Sequence, residues 1–328
     1  MGAVDLVVHA ATFVSARPVL VDLWATQPHY LEHLSPIYRA LPRQIQGRAT
    51  VGLQTGEIED RAGRAVMVGA YRDLRSCNGY AKRILVEHGA GQMYQSAHPA
   101  YSGGPREQPC DLYLVPNPQT QTWIPDRTVA IGCPKLDPWV RGEKVRVDSI
   151  PTVAFSFHWD CGIVPESGTA FWEYRDAVAA YAQSSTKRVV IHCHPRIVDE
   201  VAPWAFSQQL PFVPEFNDVL GLADLYVCDN SSTIFEFAAL ARPVVLLNSE
   251  RWRRDVHHGG RFWTWSDVGM QVDYPELLAA TIDRAWEDPI AVAMRRMDRT
   301  AQIYSELDGY SATRAALAVV RAVGSVVG

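Results

Sequence analysis

Leu225-Tyr226-Val227-Cys228-Asp229-Asn230-Ser231-Ser232-Thr233-Ile234-Phe235-Glu236-Phe237-Ala238-Ala239-Leu240 decides the fold. An apolar, β-prone run passes directly into a hydroxyl-rich turn, and an apolar helical pattern follows. A strand buried on both faces hands over to a helix in this way in parallel sheets. The turn is also chemically useful. Backbone N–H groups at a helix start, the helix dipole and the hydroxyls of Ser231, Ser232 and Thr233 favour an anion such as phosphate, with Asn230 beside them. A second reading needs no ligand: Thr233 caps the helix and Glu236 reaches back to complete a capping box.

Working outward, the same alternation recurs. We expect strands near Asp5 to His9, Ala65 to Gly69, Arg83 to Glu87, Leu112 to Val115 and Val129 to Ile131, then a second series near Thr152 to Phe157, Arg188 to His192, Leu225 to Cys228 and Pro243 to Leu247. Helical periods lie between them, at Pro28 to Leu41 and at Thr169 to Tyr181, where Thr169 can cap. The C-terminal third is helical over Tyr274 to Glu287, Ile290 to Leu307 and Ser311 to Val323. Pro134 to Ile150, dense in charge, is the linker candidate. The class is α/β: two Rossmann-like, doubly wound domains, 1–140 and 141–310, face each other across a cleft, and a helix over 311–328 ends the chain. Ligands of such sheets bind at the carboxyl ends of the strands.

Composition agrees and excludes other classes. The 328 residues suit two domains, and 48% hydrophobic with 20% charged residues is ordinary globular usage. Lys+Arg 31 against Asp+Glu 36 gives a net charge of −5, so no global field attracts nucleic acid or anionic lipid. No basic amphipathic helix marks a peripheral membrane contact. No charged leader precedes a long apolar run, and no stretch approaches the roughly 20 apolar residues of a transmembrane segment. A soluble, cytoplasmic protein is the expectation. The six cysteines are scattered without a Cys-x-x-Cys pair and read as buried thiols.

The strand ends carry the remaining candidates. Arg83-Ile84-Leu85-Val86-Glu87 runs into His88-Gly89-Ala90-Gly91-Gln92, an imidazole followed by glycines (Gly89 and Gly91) that let a ligand approach the backbone. With an ordinary pKa near ~6.5, His88 suits a base taking a proton from an acceptor hydroxyl. His192 and His194 share one strand face, and Pro195 and Arg196 follow. Without an Asp-x-Asp pair or a nearby third ligand, a phosphate contact by His194 is preferred to a metal. His257, His258 and Arg261, in a polar loop, suit an acidic acceptor. No metal and no cofactor is expected.

The order of these blocks resembles the CDP-glycerol glycerophosphotransferase family, the teichoic acid primases and polymerases. His88-Gly89 resembles the family's His-Gly-Thr, and Gly132-Cys133-Pro134-Lys135-Leu136-Asp137 its Gly-x-Pro-Arg-x-Asp. His194-Pro195 is similar to its His-Pro, and Asp229 to Ala238 to its Asp-Tyr-Ser-Ser-x-x-Phe-Asp-Phe-Ala. Arg242-Pro243-Val244 and Asp308-Gly309-Tyr310-Ser311-Ala312-Thr313-Arg314 complete the set. The resemblance spans Arg83 to Arg314. It implies a GT-B fold whose last helix crosses back to the first domain, and a metal-independent transferase using CDP-glycerol or another nucleotide-diphosphate donor and a hydroxyl-bearing acceptor. His88 would be the base and His194 would contact the pyrophosphate. Asn230, Ser231, Ser232, Thr233, His158 and Arg196 would serve the donor, with Glu236 reaching its ribose. Phe157-His158-Trp159-Asp160 stands where the family has Pro-Thr-Trp-Arg. Glycosyl transfer to a glycan, metabolite or nucleic acid base, UDP-sugar 2-epimerisation and non-catalytic nucleotide binding are the competing expectations.

Overall fold

The computed structural model describes residues 18–52, 61–90, 110–117, 125–147, 149–160, 168–250 and 264–324. Its first sheet contains β1 (Val21–Ala25), β2 (Gln46–Val51), β3 (Ala65–Val68), β4 (Lys82–Val86), β5 (Leu112–Val115) and β6 (Thr128–Ala130), in the order β2-β1-β3-β4-β5-β6. The second contains β7 (Thr152–Phe157), β8 (Arg188–Cys193), β9 (Leu225–Cys228), β10 (Val244–Leu247) and β11 (Met270–Val272), in the order β11-β10-β9-β7-β8. Neighbouring strands pair in parallel throughout both sheets. β3, β7 and β9 are buried at every residue, because helices cover both faces of a parallel sheet.

The expected strand at Asp5 to His9 lies outside the described residues. The first described strand is β1, whose apolar run is broken by Asp22. That carboxylate is buried but satisfied: it accepts from Arg64 Nε at 2.8 Å and from the Arg48 amide at 2.7 Å. β2 is polar and partly exposed, as an edge strand tolerates. In the second domain the helix Phe171–Ser184 buries Phe171, Tyr174, Val178 and Tyr181 against the sheet, and Thr169 Oγ1 accepts the Phe171 amide at 3.0 Å.

Between the sheets, the expected linker divides in two. Lys135, Leu136 and Asp137 are buried, and the exposed stretch begins only at Arg141. Gly132 makes the turn after β6 with φ +83°, and a Cβ there would collide with the Glu306 carbonyl at 2.5 Å. The chain then returns. Ser305 donates to the Pro116 carbonyl at 3.0 Å, and the helix Ser311–Gly324 inserts Ala315, Ala316, Val319 and Val323 into the first domain's core beside Leu34, Ile37 and Leu114.

Asp137 starts that last helix. Its two carboxylate oxygens accept the amides of Ser311 at 3.0 Å and Ala312 at 2.8 Å. Asp137→Ala is therefore expected to cost about 1–2 kcal/mol, the usual value of a lost N-cap. Urea unfolding would register a lower midpoint, and limited proteolysis would release the C-terminal helix first. An unchanged midpoint would show that the cap contributes nothing.

Candidate functional site

The carboxyl ends of the two sheets meet. From the first domain come His29, beyond β1, and His88, beyond β4; from the second come His158 beyond β7, His194 beyond β8 and Asp229 to Thr233 beyond β9. Their rings form a chain across the cleft. His88 stands edge-on to Tyr30 at 4.6 Å between centroids, Tyr30 lies 4.2 Å from His29, His29 meets His194 at 5.2 Å, and His194 meets His158 at 5.5 Å. Trp159 closes one side, 5.8 Å from His194 and stacked by the exposed Arg196 guanidinium at 4.1 Å. His192 does not join them. It is buried, with Nδ1 2.7 Å from Ser156 Oγ and its ring against Phe216.

Hydrogen bonds set the tautomers of the two central rings. His88 Nδ1 is bonded to the Gly69 carbonyl, which can only accept, so the proton sits on Nδ1 and Nε2 is the acceptor. His194 Nδ1 accepts the Arg196 amide at 3.2 Å, which leaves the proton on Nε2 as a donor. One ring is thus suited to receive a proton and the other to hold an oxyanion. The ordinary imidazole pKa expected from the sequence is corrected here. Burial, then the neighbouring His33 and His29, lowers His88 to about 3. Burial lowers His158 to about 4, burial and Arg196 lower His29 to about 4, and His194 is depressed further still by burial and its neighbouring imidazoles. These rings are neutral at pH 7, and an anion among them would raise their basicity.

On the second domain's side, Asp229 is buried and accepts the His158 amide at 2.8 Å and the Ala170 amide at 3.0 Å, fixing the loops that follow β7 and β9 relative to each other. Burial pushes its carboxyl up to about 7. Asn230 donates to the Gly168 carbonyl at 3.2 Å, and its buried Oδ1 has no hydrogen-bond partner among the described residues. Thr233 Oγ1 turns inward to Tyr226 Oη and Ser231 Oγ, both at 2.8 Å. The expected capping box does not form. Ser232 occupies the cap position of the helix Thr233–Ala238 without a side-chain cap bond, and Glu236 turns away to an ion pair with Lys135.

That ion pair belongs to a group that sequence reasoning missed. Lys135 Nζ lies 2.5 Å from Glu32 Oε2 of the first domain and 2.8 Å from Glu236 Oε2 of the second, with the Phe216 ring at 4.5 Å. Asn217 donates to the other Glu32 oxygen at 3.0 Å. His33 Nε2 stands 3.8 Å from Glu236 Oε1. The signal was Pro28-His29-Tyr30-Leu31-Glu32-His33, three functional side chains at helical spacing just after a strand. Gly89 is buried beside His88. Gly91, Gln92, His257, His258 and Arg261 lie outside the described residues.

Two parallel α/β sheets facing across a cleft, with the last helix returning to the first, define the GT-B fold. Solved structures share it. The wall teichoic acid polymerase TagF superposes with a TM-score of 0.67 at 14% identity, over 95% of this chain and 91% of that chain. A MnaA–UDP co-structure from S. aureus gives a TM-score of 0.57 at 12% identity, over 90% and 94%. A putative UDP-N-acetylglucosamine 2-epimerase from Listeria monocytogenes gives 0.54 at 14%, over 90% and 94%. At these identities the likeness is one of fold. No protein-family profile matches the chain, and no curated protein matches its sequence.

Proposed function

We propose that the protein is a GT-B transferase that moves a group from a nucleotide-diphosphate donor to an acceptor hydroxyl, with CDP-glycerol the leading donor. One observation carries the reading: the two central imidazoles, one from each domain, have opposite tautomers, His88 presenting an acceptor and His194 a donor. In the transfer, the acceptor oxygen attacks the donor β-phosphorus and its proton passes to His88 Nε2. The bond to the leaving phosphate breaks, and CMP departs with the electron pair. His194 Nε2–H, the Ser232 hydroxyl and the amides at the start of the helix Thr233–Ala238 hold the phosphate oxygens, so the chemical step itself requires no metal. His158 and Arg196 flank this donor side, and the TagF structures, two of them soaked with CDPG, share the fold. A donor panel tests the proposal: release of CMP from CDP-glycerol in the presence of a hydroxyl acceptor supports it, whereas release of UDP or GDP from sugar nucleotides would replace phosphoryl by glycosyl transfer.

Ser232 Oγ makes no hydrogen bond among the described residues, unlike Thr233, and is the hydroxyl available to a donor phosphate. Ser232→Ala should weaken calorimetric binding of the nucleoside diphosphate by about 1.5–3 kcal/mol, roughly ten- to hundredfold. Unchanged affinity would remove the phosphate from this segment.

A second reading, UDP-sugar 2-epimerisation, gains from two buried carboxylates at strand ends, Glu87 and Asp229, and a third, Glu236, on the helix that follows β9. Each is engaged, by Tyr113 Oη at 2.7 Å, by backbone amides and by Lys135 respectively. Conversion of UDP-N-acetylglucosamine without any acceptor would favour it over transfer.

A further inference from the structure

Beneath the cleft histidines lies a polar cluster that the proposed transfer does not use. His33, Cys133 and Glu236 are 8%, 5% and 2% exposed, and one ligand atom from each lies within 4.8 Å of the others. They come from three separate elements: the helix Leu31–Ala40 of the first domain, the turn after β6, and the helix Thr233–Ala238 of the second. We propose that these residues bind one divalent transition-metal ion of zinc-like preference, which ties the two domains together below the reaction cleft.

The donor chemistry fits. An imidazole nitrogen, a thiolate and a carboxylate oxygen are the mixed set that zinc accepts and that calcium or magnesium does not. Glu236 divides its two oxygens: Oε2 pairs with Lys135 at 2.8 Å and Oε1 faces His33 at 3.8 Å. Burial and the neighbouring Glu236 carboxylate raise the Cys133 thiol, so a bound ion would have to displace its proton. The Tyr304 hydroxyl is a polar neighbour of two of the three residues. It is buried without a hydrogen-bond partner among the described residues, and its electrostatic neighbours are the Cys133 thiol and the Glu236 carboxylate. A four-coordinate shell is the usual form of a structural zinc site.

Charge balance points the same way. Glu32, Glu236 and Lys135 leave one uncompensated negative charge in the interior. Uptake of a divalent ion, with the Cys133 proton released to solvent, adds one net positive charge and brings the group to neutrality. Lys135 does not block the ion, because its ammonium sits on the far carboxylate oxygen and is shared with Glu32.

Full-length protein without a polyhistidine tag, stripped by chelator and titrated with Co2+, tests the proposal. We expect saturation at one equivalent with a near-ultraviolet thiolate-to-cobalt charge-transfer band, displacement by Zn2+, and a higher thermal midpoint on binding. Cys133→Ser should abolish the band, and Glu236→Gln should weaken Co2+ binding by about ten- to hundredfold or more. A wild-type protein that develops no charge-transfer band, or a band that persists in Cys133→Ser, overturns the proposal. The wild-type titration is decisive even where a variant fails to fold. No readout involves transfer, so failure of the proposed function would leave this result standing.

Discussion

His88→Ala is expected to lower turnover by about 10²–10⁴-fold while the donor dissociation constant stays within a few fold. The ring reaches the cleft from the first domain, and its Nδ1–H is committed to the Gly69 carbonyl. In the proposed transfer its contribution toward an acceptor is the Nε2 lone pair, and removing it would slow the step in which the hydroxyl loses its proton. In the proposed transfer, donor phosphates would be met from the other domain by His194 and the Asn230 to Thr233 segment, which the substitution leaves alone. His88→Gln separates chemistry from architecture, since a side-chain amide keeps a donor for Gly69 but is no base. Its turnover should fall as far as that of the alanine variant. A large loss of donor affinity with preserved turnover, or full activity in His88→Gln, would remove His88 from the proton-transfer role.

Acid should act on the whole molecule more strongly than any single substitution. His29, His88, His158, His192 and His194 are all held well below the ordinary imidazole value, chiefly by burial. Below about pH 6.5 the unfolded chain binds protons on these rings that the folded chain refuses. Stability is therefore whole above pH ~6.5 and falls as the pH drops toward the folded values near 4 and 3. Each ring contributes up to ~1.4 kcal/mol per pH unit. Five of them together lose several kcal/mol per unit, against a total domain stability of about 5–15 kcal/mol. Because four of these rings line the boundary between domains, the first response should be opening of the cleft. Urea midpoints measured from pH 7.5 to 4.5, with scattering in parallel, should decline and report an expanding particle before secondary structure is lost. Flat stability down to pH 5 would show that the rings are hydrated enough to titrate normally.

What could be read from the sequence follows from how each element is buried. β5, β7 and β9 were legible to the residue, since a strand covered on both faces is a predominantly apolar, β-prone run. β1 was hidden by Asp22, a buried carboxylate whose partner Arg64 lies 42 residues away. β2 and β11 are edges, one polar and one of three residues, and neither writes a period long enough to see. In the cleft, His88, His194 and Asp229 to Thr233 stood out because each directly follows such a run. His29, Glu32, His33 and Lys135 did not, because their meaning arises only when the second domain is brought against them. A cluster drawn from positions 33, 133 and 236 has no linear spacing for a motif to capture.

The return of the helix Ser311–Gly324 into the first domain also orders events during synthesis. Domains usually fold as they emerge, N-terminal first. Here the sheet from β1 to β6 can assemble early, but the face that takes Ala315, Val319 and Val323 stays uncovered until the ribosome has passed the helix Ser311–Gly324. The first half of the protein must therefore wait for the last, and a nascent chain stalled anywhere before residue 311 would present that apolar face to chaperones. Synthesis of the helix Ser311–Gly324, rather than completion of the first domain's own segment, is the event that commits this domain to its folded form.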